Sequence, residues 1–335
     1  MITKIQIFFL FTKFIAKFAI IDSYKNRQEI FHMKIVTMAL SIALILFSCS
    51  KSGDKEAIAK AEALKQKTED SLALKVAVMP TLDCLPIFIA KDRKIFDKFN
   101  VKVSLRRFNA QMDCDTALTG GSVQGGVTDI VRYERLMQKG TRLRIIATTN
   151  LYWQLIANKS ARIKEVSQLS DKMIAMTRYS ATDYLTDKVL SKAKLKSPAF
   201  KIQINDVLIR LKMLQNNEMD AMWLAEPQAS TARIYGNVVL TDSRNMNQQL
   251  GVIVFRMHDI TTKEKSDQLS LFIKGYNAAC DSINKFGITH YADILEKYCN
   301  ADIRSINNIP KMHFNHARTV LTSNLEEIKN WYKKL

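Results

Sequence analysis

Glycine and proline are scarce in this chain, 10 and 5 residues in 335, which excludes collagen-like and Pro/Gly-rich low-complexity architectures. Histidine is just as thin. The five lie at His32, His258, His290, His313 and His316, so no Cys/His zinc pattern and no H-E-x-x-H helix can form in the middle of the chain. A G-x-S-x-G elbow, a P-loop and a G-x-G-x-x-G in a βαβ setting are also missing, which removes the common hydrolase, NTPase and dinucleotide signatures. Acidic residues fall short of basic ones by 18, yet lysine and arginine are scattered and form no basic block with interleaved aromatics. That pattern argues against nucleic acid as a partner and suits a protein beside an anionic membrane surface. Hydrophobic residues make up 47%, enough for an ordinary core in one or two domains.

No uncharged run near the N-terminus reaches the ~20 residues of a membrane-spanning helix. From Met33, MKIVTMALSIALILFSCS instead sets one lysine before an uncharged stretch from Ile35 to Phe47, then small Ser48 and Cys49. This is a secretory signal layout. LFSC resembles a bacterial lipobox, which implies lipidation of Cys49 as the first mature residue and a membrane anchor. Translation is expected to start at Met33, leaving residues 1–32 as an extension, 33–48 as signal peptide and 49–73 as a polar Ala/Lys/Glu-rich tether. Residues 1–32 and Lys34 together carry four net positive charges, so the mature chain keeps +14.

From Leu74 short apolar strands alternate with amphipathic helices. LKVAVM, VKVSLRRF, GGVTDIV and LRIIATTN read as strands, with PIFIAKDRKIFDKF and MDCDTALTGG as helices between them. A second series follows, with KMIAMTR, KIQI and DAMWLAE as strands and helices from Ser180 and Val207. LGVIVFRM is a late strand, and a wholly helical tail is expected from about Thr261 to Leu335. Strands separated by helices imply parallel βαβ units with right-handed crossovers, hence an α/β fold.

That order, with PTLDCLPIFIAKDRKIFDKF after the first strand and NNEMDAMWLAEPQA later, resembles the substrate-binding proteins of the nitrate, sulfonate, taurine and thiamine-precursor ABC importers. Asn-Glu-Met-Asp-Ala followed by Glu-Pro is similar to the family's G-x-x-D-A and E-P, with Asn217 in the usual glycine position. The resemblance implies a periplasmic binding protein of type II, with lobe 1 at 74–154 plus 248–335 and lobe 2 at 155–247. It also implies a small solute trapped in the cleft, an importer permease as partner, a periplasmic location and no catalysis or cofactor. A monomer is expected.

Ligands in open parallel sheets sit beyond the carboxyl ends of strands. The rule selects Thr81, Leu82 and Asp83 after the first strand, Asn109, Gln111 and Asp113 after the second, and Thr128 and Asp129 after the third. In the second series it selects Tyr179, Ser180, Ala181, Thr182, Asp183 and Glu226. Ser180 and Thr182 at a helix start suit an anion or simply cap the helix, and Arg178 adds charge beside them. Asp83, Asp115, Asp129 and Glu226 suit an amine or aminopyrimidine, against a capping or surface role. Tyr152, Trp153, Tyr179 and Trp223 suit stacking on a planar ligand, against core packing.

A secretory signal implies an oxidising compartment. Cys84 and Cys114 follow neighbouring strands and are expected to pair, as are Cys280 and Cys299 on successive tail helices. Five residues, Asp83, Cys84, Asp113, Cys114 and Asp115, also form a thiol and carboxylate group, but without histidine it is no familiar zinc set, so no metal is assigned. A lipid-anchored enzyme like the pyrimidine synthase that shares this fold, and a structural lipoprotein, are the other two readings. N-terminal sequencing of the precursor carrying Cys49→Ser should begin at Met33, and recovery of any earlier residue would overturn the start site.

Overall fold

The computed structural model describes residues 73–246, 248–318 and 322–334. The start site, signal peptide, Cys49 and almost all of the tether lie outside the described residues. Leu74–Val78 (β1), Val103–Arg107 (β2), Gly125–Asp129 (β3), Leu143–Thr148 (β4) and Gly251–Arg256 (β10) form one sheet in the order β2-β1-β3-β10-β4. Gln154–Ala157 (β5), Met173–Met176 (β6), Phe200–Gln203 (β7), Ala221–Leu224 (β8) and Val238–Asp242 (β9) form the other, ordered β7-β6-β8-β5-β9. Each sheet with its helices is an α/β lobe.

Three strands of each lobe, β1 to β3 in the first and β6 to β8 in the second, are parallel, as βαβ alternation predicts. The fourth strand in each sheet order is not. β10 runs antiparallel to β3 and β4, and β5 antiparallel to β8 and β9. These are the strands that follow each passage of the chain between lobes, so they enter without a crossover helix and take the opposite direction. The purely parallel arrangement and the two-lobe strand inventory are corrected accordingly, since β5 and β9 are absent from the sequence reading.

Helix termini follow local chemistry. Leu85–Asp92 (α1) carries Pro86 in its first turn, where a missing N–H costs nothing, and the short Ile95–Lys98 (α2) follows it. Gln111–Gly120 (α3) stops at Gly121, whose φ of 76° is in the left-handed region. Ile130–Gln138 (α4), Ala181–Leu190 (α5) and Val207–Gln215 (α6) are capped by the side chains of Asp129, Ser180 and Asp206. Asn217 has φ 60°, so the usual glycine is replaced by the residue that best tolerates left-handed backbone. Gln228–Ile234 (α7), Lys263–Phe286 (α8), Ala292–Cys299 (α9), Ile303–Asn307 (α10) and Thr322–Tyr332 (α11) complete the helices. The tail is therefore not wholly helical, because residues 309–318 carry no helix.

Arg132 on α4 is fully buried and ion-paired with Asp115 on α3. Both would be costly alone inside the lobe, so the pair fixes one helix against the other. Among the described residues no helix is long and apolar enough to cross a membrane.

The expected disulfides are not formed. Cys84, Cys114, Cys280 and Cys299 are free and buried. β1 and β2 are neighbours, as the pairing assumed, but the step from β1 to β2 and the return from β2 to β3 run in opposite directions across the sheet. Right-handed crossovers then place α1 and α3 on opposite faces. Cys84 precedes α1, which packs on α8 and α9, whereas Cys114 lies on α3 among Asp113, Asp115 and Arg132. In the tail, Cys280 lies beside Tyr276 on its own helix while Cys299 lies towards Asp83 and Arg107. With Cys49→Ser in place, an aromatic disulfide reagent should find no reactive thiol in the folded protein and four after unfolding without reductant. Fewer than four would restore a bridge.

Candidate functional site

The carboxyl ends of both sheets face one cleft of about 610 Å3, counted with its open mouth. From the first lobe it is lined by Met79, Thr81, Asp83, Gln111, Val127, Thr128, Asp129, Leu151 and Trp153. From the second come Thr177, Ser180, Thr182, Val207, Arg210, Trp223, Leu224, Ala225 and Gln228. Thr81, Asp83, Gln111, Thr128, Asp129, Ser180 and Thr182, all selected by the strand-end rule, are thus brought together. Leu82, Asp113, Tyr179 and Glu226 are not among the lining. Leu82 is buried, and Asp113 is exposed on the outer side of α3. Tyr179 takes φ 55° and stacks under Arg135, 4.8 Å from its ring centre.

Glu226 is a different case, because its carboxylate is fully engaged by neighbouring side chains and backbone. One oxygen accepts from Tyr152 Oη at 2.8 Å and pairs with Arg233 at 2.8 Å; the other accepts from Ser230 N at 2.9 Å and Ser230 Oγ at 2.6 Å. The side chain thereby organises the start of α7. Its carbonyl accepts from Leu82 N at 2.9 Å, and Gln228 Nε2 donates to Pro80 O at 2.7 Å, so this corner joins the lobes. Tyr152 is committed to Glu226 and lies under Arg244, while Trp153 and Trp223 do reach the cleft. Trp223 also donates Nε1–H to Thr186 Oγ1 at 2.8 Å, which fixes the ring plane.

Ser180 and Thr182 spend their hydroxyls locally. Ser180 Oγ accepts from Thr182 N at 3.1 Å, and Thr182 Oγ1 accepts from Thr177 N at 2.9 Å. The capping role therefore accounts for both. Asp129 accepts from Val131 N and Arg132 N at 3.0 and 2.9 Å. Burial pushes its carboxyl up to about 6, against the pull of Arg132.

Three other groups are unfinished. Asp83 Oδ1, Arg210 Nε and Gln228 Oε1 are buried without a hydrogen-bond partner, on residues that are 3%, 5% and 3% exposed. An unpartnered buried polar atom costs about 1–3 kcal/mol, and these three residues all line the one cleft. Arg210 is held by Nη1–H donation to Trp223 O at 3.0 Å, and burial lowers its guanidinium to about 10. Neither Arg210 nor Gln228 was singled out from sequence. Arg210 lies in the first turn of the helix after β7, so the strand-end rule extended to that strand would have reached it. Gln228 follows the Glu-Pro pair directly and carries no comparable signal.

Burial pushes Asp83 from 3.8 to about 6, with the Thr81 and Thr149 hydroxyls opposing it. The unfolded chain thus loses this proton first, and folding loses stability as pH rises from about 4 to about 6. Asp83→Asn should be more stable than the parent at pH 8 by up to about 3 kcal/mol, with the gain vanishing near pH 4. Urea unfolding at both pH values checks this, and an equal difference at each would rule it out.

Comparison with solved structures finds the same architecture at low identity. The alkanesulfonate-binding protein SsuA of Xanthomonas axonopodis pv. citri, bound to MOPS, aligns with a TM-score of 0.67 and 14% identity over 78% of this chain and 92% of its own. The zinc-bound ligand-binding component of an ABC-type import system from Staphylococcus aureus gives 0.66 and 18% over 78% and 91%. The nitrate-binding protein NrtA of Synechocystis PCC 6803 gives 0.62 and 13% over 73% and 74%. The fold is therefore that of the periplasmic binding proteins of ABC import systems, in its SsuA-like form. Comparison with curated proteins returns no match. The family model for NlpA lipoproteins matches residues 74–265, more than half of the sequence, and the chain belongs to the NlpA lipoprotein family.

Proposed function

We propose that the protein is an extracytoplasmic solute receptor, held to a membrane by lipid on Cys49, that delivers a small polar molecule to an ABC importer permease and performs no catalysis. The observation that carries this reading is the convergence of Asp83 Oδ1, Gln228 Oε1 and Arg210 Nε on one cleft between two lobes. Two are acceptors and one is a cationic donor. A solute with hydrogen-bond donors at one end and an acceptor at the other would satisfy all three, and Trp153 and Trp223 would cover its apolar part. Asp129 caps α4 and Arg132 is ion-paired with Asp115, whereas Asp83 and Arg210 line the cleft from opposite lobes.

Closure of two lobes around a solute buries these atoms only when it is bound or when the lobes meet, which is how such receptors couple occupancy to shape. The family match and the fold support the reading, and the lipobox-like LFSC supports the anchor. The lobe limits follow the two passages of the chain, and the receptor is taken to act as a monomer.

Mass spectrometry of the gently purified protein should detect a small molecule, and that molecule should raise the melting temperature without being turned over. Arg210→Met should weaken its binding by about 10- to 100-fold, the scale of one charge-assisted hydrogen bond, with little loss of apo stability. Turnover, or no stabilisation by any member of a broad metabolite panel, would sink the proposal.

A further inference from the structure

The C-terminal helix α11 touches three parts of the protein at once. On the first lobe it packs along α4 and buries Ile328 completely. At the return passage between lobes, Asn324 Nδ2 donates to Gln249 O at 3.3 Å and Glu327 Oε2 accepts from Gln248 Nε2 at 2.9 Å. On the second lobe, Glu327 Oε1 accepts from Tyr184 Oη at 2.5 Å and from Lys188 Nζ at 2.8 Å. Trp331 Nε1 donates to Asp187 Oδ2 at 3.1 Å, and its ring meets Tyr184 edge-on at 5.6 Å. Asp187 is further tied to Lys201 at 2.8 Å.

We infer that α11 is a brace across the interlobe hinge, with Glu327 and Trp331 holding the second lobe at the angle of this structure independently of any solute. A hinge motion turns α5 relative to α4, and α11 cannot follow both helices. Because Ile328 is anchored in the first lobe, the bonds to Tyr184, Lys188 and Asp187 are those that part. Each is individually modest and partly exposed, Glu327 by 45% of its side chain, so the brace biases the equilibrium between lobe arrangements without locking it. Every receptor with this topology must pass the chain through the hinge twice; here a third segment crosses beside them and adds side-chain bonds at that line.

The test uses full-length protein carrying Cys49→Ser, with no solute added, and small-angle X-ray scattering as the readout. The parent is compared with Glu327→Ala, Trp331→Ala and a control, Glu326→Ala, an exposed neighbour on the same helix. The two brace variants should increase the radius of gyration by about 1 Å, over the about 18 Å expected of a compact folded part of this size, and the control should match the parent. Circular dichroism confirms that each variant keeps its helix content, since Ile328 is untouched. Brace variants that scatter like the parent, or a control that expands as much as they do, would overturn the inference. The outcome does not depend on which solute is bound, so it stands or falls apart from the transport reading.

Discussion

The slot between β3 and β4 is filled by a strand that the chain supplies only after it has built the second lobe. β10 bonds to β3 along one edge and to β4 along the other, so the first sheet is continuous only when residues 251–256 arrive. Most of what matters in the molecule depends on that insertion. It forces the chain out after β4 and back before β10, sets the two connecting segments close together, and turns the strand ends of both sheets towards one cleft. Gly251 shows how tight the return is. A Cβ there would stand 2.2 Å from Thr149 Oγ1 and 2.8 Å from Leu151 Cβ, both on the outgoing segment.

The cleft inherits its chemistry from this geometry. Asp83 and Arg210 reach it from different lobes, and neither finds an opposite charge across the gap. By contrast, Asp115 with Arg132, and Glu226 with Arg233, are neutralised inside their own lobes and act as framework. The difference separates groups that hold the protein together from groups available to something else. It also explains why Glu226, the most conspicuous carboxylate after β8, works as a structural anchor at the corner where the lobes touch.

The parallel part of the fold was legible because Val- and Ile-rich runs such as LKVAV are buried on both faces and carry an unmistakable strand pattern. Seven of the strand-end residues read from sequence reach the cleft for the same reason, since the rule needs only strand ends. β5 and β9 escaped because QLIA is four residues long and follows an aromatic pair, and VVLTD is half-exposed with no clean alternation. The cysteine pairing failed on handedness, since adjacency of strands says nothing about the face on which each following helix lies. Arg210 was hidden in a helix whose pattern reads as ordinary amphipathic surface.

Four buried thiols have a consequence for biogenesis. On the proposed export, the chain would emerge unfolded with Cys84, Cys114, Cys280 and Cys299 all accessible, and in an oxidising compartment any two of them could be joined before the core closes. Burial is then a kinetic shelter, effective only once β10 has docked and α8 and α9 have covered α1. Cys84 and Cys299 belong to segments more than two hundred residues apart, so their shelter is completed last. Folding speed, more than native stability, would decide how much of the exported chain escapes misoxidation.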